Sequence, residues 1–240
     1  AAAYTAVDKA ESESVLAHTI NTQAPKILAQ ESLKLGAWLV HYSTDFVFDG
    51  NGVKPWKEND PTTPINIYGS TKLEGEKAVI NSGCKHLIFR TSWVYSARGK
   101  NFIRTMIHLA QNREYLSVID DQIGAPTGAE LLADVTTHSI YTALKQPHVS
   151  GLYHLAAKGE TSWYGYANFV LDKARQSGIK LQVQAENIQP VTTDAFPQTA
   201  RRPRNSRLNT RKIEHTFDLT LPLWQTGVTR MLTEIFEKRL

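Results

Sequence analysis

Residues 37–91 constrain the fold of this chain more than any other stretch. The apolar run Ala37–Ser43 is typical of a buried strand, a helical pattern covers Tyr68–Ser82, and a second strand is predicted over Lys85–Thr91. A strand, helix, strand order of this length favours two parallel strands joined by a right-handed crossover. Helical and strand patterns go on alternating to a final predicted helix near Leu223–Lys238. The chain is therefore predicted to be an α/β protein.

Two helical stretches precede the first strand, near Glu11–Asn21 and Pro25–Leu35. We expect Pro25 to open the second helix, because proline lacks the N–H that a helix interior needs. Gly36 is expected to end it.

A tyrosine and a lysine stand four residues apart where the helix after the first strand begins. Four residues make about one helical turn, so Tyr68 and Lys72 share a face. An ammonium beside a phenol favours the phenolate, so we expect Lys72 to bring the phenol pKa from near 10 toward neutrality. Thr44 ends the first strand, where open α/β sheets bind ligands. These three groups are suited to donating a proton during carbonyl reduction.

A second pair with the same spacing occurs at Tyr141 and Lys145. It lies inside an ordinary amphipathic pattern, Leu132–Leu144, with no turn before it, whereas Pro61 and Pro64 frame the approach to Tyr68. We therefore interpret Tyr141 and Lys145 as a chance match in spacing, without a catalytic role.

Further segments resemble one known family, in the order in which that family has them. They are His41–Phe48, Arg90–Tyr95, Asp121–Gly128, Gly151–Leu155 and Arg202–Leu208. With Thr44, Tyr68 and Lys72, they make the chain similar to the sugar-nucleotide reductases of the extended short-chain dehydrogenase/reductase family. The resemblance covers nearly the whole chain.

The resemblance implies a Rossmann-like, doubly wound parallel sheet with a smaller C-terminal substrate-binding region. Residues 1–92 and 129–157 would form the cofactor-binding part. Residues 93–128 and 158–240 would form an interleaved substrate-binding part.

The activity implied by the resemblance is NADPH- or NADH-dependent reduction of the C4 ketone of dTDP-4-dehydro-L-rhamnose to dTDP-L-rhamnose, a precursor of surface polysaccharides. Tyr68 would protonate the developing alkoxide, Thr44 would orient the oxygen, and Lys72 would contact the nicotinamide ribose. The cofactor-binding residues implied are Ala3, Tyr4, Thr5, Tyr42, Tyr68 and Lys72. The substrate-binding residues implied are Thr44, Asp45, Tyr68, Trp93, Arg202 and Arg207.

A metal site and a homodimer are further implications of the resemblance. Glu130 and Glu234 match positions linked to Mg²⁺ at a dimer contact. Two carboxylates distant in sequence are not a metal motif by themselves.

The sequence lacks the Gly-rich turn on which such reductases hold the pyrophosphate of their cofactor. None of its fourteen glycines forms a Gly-x-Gly-x-x-Gly pattern. We expect two βαβ-type units of about 30 residues each, roughly 60 residues in all, to precede this sequence in a complete enzyme.

Composition excludes several classes of protein. There is no long apolar run, so a membrane span is not expected, and the basic run Arg201–Lys212 lacks the interleaved aromatic residues typical of nucleic-acid binding. A single cysteine, Cys84, excludes an internal disulfide and suits the cytoplasm.

Two alternative functions remain open from the sequence. One is a related sugar-nucleotide epimerase-reductase or 4,6-dehydratase, although Ser43-Thr44-Asp45-Phe46 disfavours a dehydratase because no Asp-Glu pair follows Thr44. The other is a non-catalytic regulatory or binding relative.

Overall fold

The computed structural model describes residues 2–196 and 198–237, so Lys238, the predicted end of the last helix, lies outside the described residues. The helices are α1 (Val7–Ala10), α2 (Ser14–His18), α3 (Ala24–Leu35), α4 (Ile67–Ser82), α5 (Phe102–Asn112), α6 (Ala129–Lys145), α7 (Trp163–Gln176), α8 (Arg211–Phe217) and α9 (Trp224–Glu237). The strands are β1 (Trp38–Thr44), β2 (Lys85–Thr91), β3 (Val94–Tyr95), β4 (Leu116–Ile119), β5 (Ile123–Gly124), β6 (Thr127–Gly128), β7 (Gly151–His154), β8 (Thr161–Ser162) and β9 (Ile188–Val191). No helix in the described ranges combines the length and apolar character needed to cross a membrane.

The largest sheet is parallel, with strand order β1-β2-β7. Thr44 pairs with Thr91 in the register of β1 and β2, and Arg90 lies opposite Ser43 on one side and His154 on the other. The predicted parallel pairing of the two strands that flank α4 is therefore confirmed. This register brings the C-terminal ends of β1 and β2, with Thr44 and Thr91, to one edge of the sheet.

The chain divides into two compact units, each formed from three segments. The first unit is Ala1–Ser92, Val135–Leu155 and Gln198–Thr220, and the second is Trp93–Asp134, Ala156–Pro197 and Leu221–Leu240. The sequence interpretation grouped 198–220 with the substrate-binding part. This segment clusters with the first unit because its backbone is bonded there: Asn66 Nδ2 donates to the Arg201 carbonyl at 2.8 Å, and Ala200 N–H donates to Asp8 at 3.0 Å.

In the first unit, α3 and α4 pack against the sheet through an apolar cluster. Ala29 of α3, Val79 of α4 and Ile88 of β2 are fully buried there, with Cys84 beside them. Cys84 is thus a small core residue in a cluster that holds α4 against the sheet.

The two helical stretches before β1 are joined rather than separate, so the predicted break between Asn21 and Pro25 is wrong. A π-helical turn, Thr19–Gln23, links α2 to α3. Pro25 has no N–H to donate to the carbonyl of Asn21 four residues earlier, and a missing bond of this kind favours a locally widened helix. The released carbonyl lies against α4, where a Cβ added to Gly75 would sit 2.1 Å from the Asn21 oxygen.

The second unit has its core between α5, α7 and α9. The buried side chains of Ile103, Tyr166 and Val228 meet there. Short strand pairs flank this core: β3 with β6 and β4 with β9 are parallel, and β5 with β8 is antiparallel.

We predict that Gly75→Ala lowers the free energy of unfolding by about 1–3 kcal/mol, because the added methyl group must push α4 away from the Asn21 carbonyl. Helix propensity alone predicts the opposite sign, a gain of about 1 kcal/mol. Urea unfolding measures the difference. Gly151→Ala is the control, since its Cβ would make only ordinary contacts, at 3.8 Å and beyond. An unchanged or higher stability of the Gly75→Ala protein would contradict the close contact.

Candidate active site

The start of α4 is fixed in place by three contacts. Asn66 caps the helix, its Oδ1 accepting the N–H of Gly69 at 2.7 Å, and Glu11 Oε1 accepts the N–H of Ile67 at 2.9 Å. Gly69 lies so close to the segment after β1 that an added Cβ would be 2.2 Å from the Phe46 carbonyl oxygen. Only glycine allows this approach. It places Tyr68, in the first turn of α4, beside the end of β1.

Thr44 is the last residue of β1, Asp45 follows it, and both are buried. Thr44 Oγ1 donates to Asp45 Oδ1 at 3.1 Å and accepts the N–H of Phe46 at 3.2 Å. Burial raises the pKa of Asp45 to about 6, and hydrogen bonds from Ser206, Thr44 and the Asp45 backbone oppose this rise. The second carboxylate oxygen, Oδ2, has no hydrogen-bond partner among the described residues.

The phenol of Tyr68 is held in its protonated form. Burial raises its pKa to about 12; a hydrogen bond with Thr44 lowers the pKa and the Asp45 carboxylate raises it. The ring of Phe46 packs edge-on against Tyr68, with centroids 5.5 Å apart. The predicted fall of the Tyr68 pKa toward neutrality is wrong for this structure, because the loss of hydration disfavours the charged phenolate and raises the pKa.

Lys72 lies one turn farther along α4 and is only 3% exposed. Its Nζ donates to the Tyr42 carbonyl at 2.6 Å and lies 3.5 Å from His41 Nε2. Burial lowers the pKa of Lys72 to about 8, and the Glu76 carboxylate raises it. Tyr42 also pairs its hydroxyl with Thr136 Oγ1 at 2.6 Å.

The segment Ala3–Thr5 is attached to α4 through Asn21. The N–H of Tyr4 donates to Asn21 Oδ1 at 2.9 Å, and Asn21 Nδ2 donates to the Tyr4 carbonyl at 3.1 Å and to Thr71 Oγ1 at 3.2 Å. The side chains of Ala3 and Thr5 are exposed on either side of Tyr4. The predicted cofactor-binding segment and the helix that carries Lys72 are therefore held together.

The two arginines predicted to bind substrate lie in the loop before α8. Arg202 pairs with Asp8, with Nη2 and Oδ2 at 2.6 Å, and its guanidinium lies 5.9 Å from the centre of the Phe46 ring. Its Nη1 is buried without a partner among the described residues. Arg207 Nη1 donates to Asn205 Oδ1 at 3.2 Å.

Trp93, another of the predicted substrate-binding residues, belongs to the second unit. Its indole stacks on Trp163 with ring centroids 3.7 Å apart, and a Cβ on Gly124 would lie 2.7 Å from the same indole. Its backbone has φ of 50°, in the left-handed region that bulky residues rarely adopt. Trp93 is thus fixed in a strained conformation of the kind that clusters at functional sites.

Glu130 and Glu234 line one cavity of about 170 Å³ in the second unit, together with Tyr95, Asp134 and Arg230. Within residues 2–196 and 198–237, no group of three or more His, Cys, Asp or Glu side chains is arranged to hold a metal ion. Mg²⁺ needs close to octahedral oxygen coordination. The described residues do not supply that coordination by themselves, and the metal role of the two glutamates stays a prediction.

Comparison with known proteins gives the geometry its context. Residues 1–236 match the RmlD substrate binding domain family. This chain belongs to that family. The dTDP-4-dehydrorhamnose reductase of Escherichia coli strain K12 is 57% identical over 236 residues, which is 98% of this chain and 78% of that protein. The enzyme of the same name from Burkholderia thailandensis is 44% identical, over 95% of this chain and 78% of that protein.

A solved structure agrees with these relatives. The crystal structure of dTDP-4-dehydrorhamnose reductase from Bacillus anthracis, determined in complex with NADP, has a TM-score of 0.87 and 37% identity. The match covers 97% of this chain and 78% of that one. The predicted Rossmann-like α/β fold is confirmed.

The second Tyr-x-x-x-Lys pair of this RmlD-family chain differs in its surroundings. Lys145 Nζ donates directly to the Tyr141 hydroxyl at 2.6 Å, and Tyr141 is 61% exposed. Equal spacing therefore gives a solvated surface pair at the end of α6, and a half-buried tyrosine with a buried lysine at the start of α4.

Three polar residues near the candidate site were missed by sequence reasoning. Thr91 has a buried hydroxyl without a partner among the described residues, and the strand-end argument that selected Thr44 applied equally to it. Asn21 and Ser206 gave no such signal. Asn21 lies in a helical pattern and Ser206 in an arginine-rich loop, so only their tertiary contacts reveal them.

The raised pKa of Asp45 predicts that Asp45→Asn stabilises the folded chain at alkaline pH. A carboxyl whose folded pKa lies above its unfolded value contributes stability at low pH and loses it as the pH rises through the folded pKa, here about 6. We expect the substitution to raise the free energy of unfolding by about 2–3 kcal/mol at pH 8 and by less than about 1 kcal/mol at pH 4. Urea unfolding at both pH values measures this change in the free energy of unfolding.

Asp172→Asn is the control for this pH series, because Asp172 forms an exposed ion pair with Arg175. Such pairs contribute little, so its stability should change by less than about 1 kcal/mol at either pH. A loss of stability in the Asp45→Asn protein at pH 8 would contradict the unfavourable burial of that carboxylate.

Proposed function

We propose that this protein uses NADPH or NADH to reduce the C4 ketone of dTDP-4-dehydro-L-rhamnose, which yields dTDP-L-rhamnose for surface polysaccharide synthesis. The observation that carries the proposal is the half-buried phenol of Tyr68, with its pKa raised to about 12, beside the Thr44 hydroxyl at the C-terminal end of β1. The names of the relatives support the reaction, and the NADP in the Bacillus anthracis structure supports the type of cofactor.

Tyr68 acts as the general acid in this proposal. With a pKa of about 12, its phenol is protonated near neutral pH and so is available to the substrate oxygen. An alkoxide that forms at C4 is more basic than a phenolate, so the proton moves from the phenol to the new hydroxyl group. Acid catalysis of this kind typically contributes about 10²–10⁴-fold to the rate.

Thr44 orients the reacting oxygen. It has one hydroxyl proton, which is within reach of both Asp45 and Tyr68. A carbonyl oxygen beside Tyr68 would accept that proton as a hydrogen bond and polarise toward the alkoxide. The unpartnered Oδ2 of Asp45 is suited to accept a sugar hydroxyl, since buried acceptors are normally paired.

The nicotinamide cofactor, when bound, supplies the hydride. Lys72 is proposed to hold its ribose, and Ala3, Tyr4, Thr5 and Tyr42 are proposed to contact it. The bonds from Asn21 to Tyr4 and Thr71 support this grouping, because they join the Ala3–Thr5 segment to α4.

Substrate recognition is assigned to Trp93, Arg202 and Arg207 in the same proposal. The stacked Trp93 indole offers a fixed apolar wall suited to a deoxysugar, and the arginines offer charge for a diphosphate. The unpartnered Nη1 of Arg202 supports its role. A homodimer and a cytoplasmic location belong to the proposal as well, and the free thiol of Cys84 is consistent with a reducing compartment.

We predict that Tyr68→Phe lowers kcat by about 10²–10⁴-fold with little change in substrate KM, because it removes a proton donor used in the transition state. The assay follows the nicotinamide absorbance during reduction of the 4-keto sugar.

Tyr141→Phe is the matched control, because Tyr141 has the same spacing to a lysine on an exposed helix face. Its kcat should equal that of the unmodified protein. Near-normal turnover by Tyr68→Phe, or equal sensitivity of both tyrosines, would contradict the assignment.

A further inference from the structure

The Lys72 ammonium lies between β1 and α4, beside the carbonyl of Tyr42 and the side chain of His41, and the proposed reaction leaves His41 without a role. The Tyr42 carbonyl accepts one N–H at 2.6 Å, and His41 Nε2 lies 3.5 Å from the same Nζ. Lys72 is only 3% exposed, so water can supply few of the hydrogen bonds that its ammonium needs. A buried ammonium requires partners of this kind to remain charged.

His41 is suited to accept a hydrogen bond from Lys72. Burial, followed by the positive charge of Lys72, lowers the pKa of His41 to about 3. The imidazole is therefore neutral at physiological pH, and one of its ring nitrogens is an acceptor.

Glu76 is the buried carboxylate nearest to Lys72 along α4. The two residues are four apart, so they lie one above the other on the same helix face. Glu76 is 1% exposed, and Arg90 of β2 holds both of its oxygens, with Nε at 2.9 Å and Nη2 at 2.6 Å. This bidentate pair fixes the carboxylate one turn from the ammonium.

We propose that His41 and Glu76 are positioning residues for Lys72: His41 Nε2 accepts one N–H of the ammonium, and Glu76, fixed by Arg90, provides its buried countercharge. The part that this arrangement plays in catalysis rests on the proposed function, in which Lys72 holds the cofactor ribose. The arrangement itself does not depend on that function.

Other charges near α4 are poorly placed for this role. The remaining titratable or charged side chains on the elements packed against α4, and on α4 itself, are Asp8, Lys9, His18, Lys26, Glu31, Lys34, Tyr42, Asp45, Tyr68, Glu74, Lys77, Lys85 and His86. Among these groups, Asp45 is the buried carboxylate, and its charge raises the pKa of Tyr68. The exposed groups act through solvent, which screens them.

The test measures the pKa of Lys72 directly, by NMR titration of the full chain carrying ¹³Cε-labelled lysine. Lys72→Arg identifies the resonance by its absence. Glu76→Gln should lower the Lys72 pKa by about 1, because the countercharge is lost. His41→Leu should lower it by about 0.5, because an acceptor is replaced by an apolar group, and His41→Gln should restore it because the amide oxygen is an acceptor.

Glu76→Gln leaves Arg90 buried without a counterion and risks unfolding the chain. The double change Glu76→Leu with Arg90→Met removes both charges and keeps the site packed, and it should lower the Lys72 pKa in the same direction. Glu74→Gln is the control: it removes a carboxylate from the exposed face of α4, where Glu74 pairs with His18, and should leave Lys72 unchanged.

An unchanged Lys72 pKa after either the His41→Leu or the Glu76 substitutions would overturn the role of that residue. A shift of equal size in Glu74→Gln would overturn both roles, because any nearby charge would then suffice. Absence of reductase activity in the unmodified protein would count against the proposed function alone, since the titration needs no turnover. In an active protein, the pH dependence of kcat should shift with the Lys72 pKa in each variant.

Discussion

The close approach of α4 to the end of β1 is the constraint on which the candidate site depends. Gly69 makes it possible, because it lies against the Phe46 carbonyl at a distance that a Cβ would prevent. Gly75 allows a second close approach, of α4 to the Asn21 carbonyl in the turn between α2 and α3. Pro25 contributes from the other side, since it leaves the Asn21 carbonyl without its helical donor. Backbone packing, set by small and special residues, thus brings Tyr68 and Lys72 into the protein interior.

Burial then decides the electrostatics of the site. Removing Tyr68, Asp45 and Lys72 from water favours the neutral form of each, and the pKa values move in the directions that this predicts: up for the phenol and the carboxyl, and down for the ammonium. The proposed reduction needs a phenol that still holds its proton. The raised pKa of Tyr68 keeps the proposed acid protonated near neutral pH, while the raised pKa of Asp45 means that its buried carboxylate weakens the fold at the same pH.

Local patterns predicted the parts of the structure that depend on neighbours in sequence. The parallel pairing of β1 and β2 around α4 and the start of α4 near Tyr68 both followed from periodicity, prolines and strand ends. Contacts between distant segments could not be predicted in this way. The contact of the Asn21 carbonyl with Gly75 joins distant segments, the attachment of residues 198–220 depends on Asp8 and Asn66, and the Tyr68 pKa depends on how far the phenol is removed from water.

The most direct test of the account follows the hydride into the product. The purified protein would be given NADPH carrying deuterium at the transferable C4 position, together with dTDP-4-dehydro-L-rhamnose, and the product would be examined by NMR. The proposed reduction predicts one deuterium at C4 of dTDP-L-rhamnose for each NADPH oxidised. A product without deuterium at C4, or with deuterium at another sugar carbon, would contradict the proposed reduction.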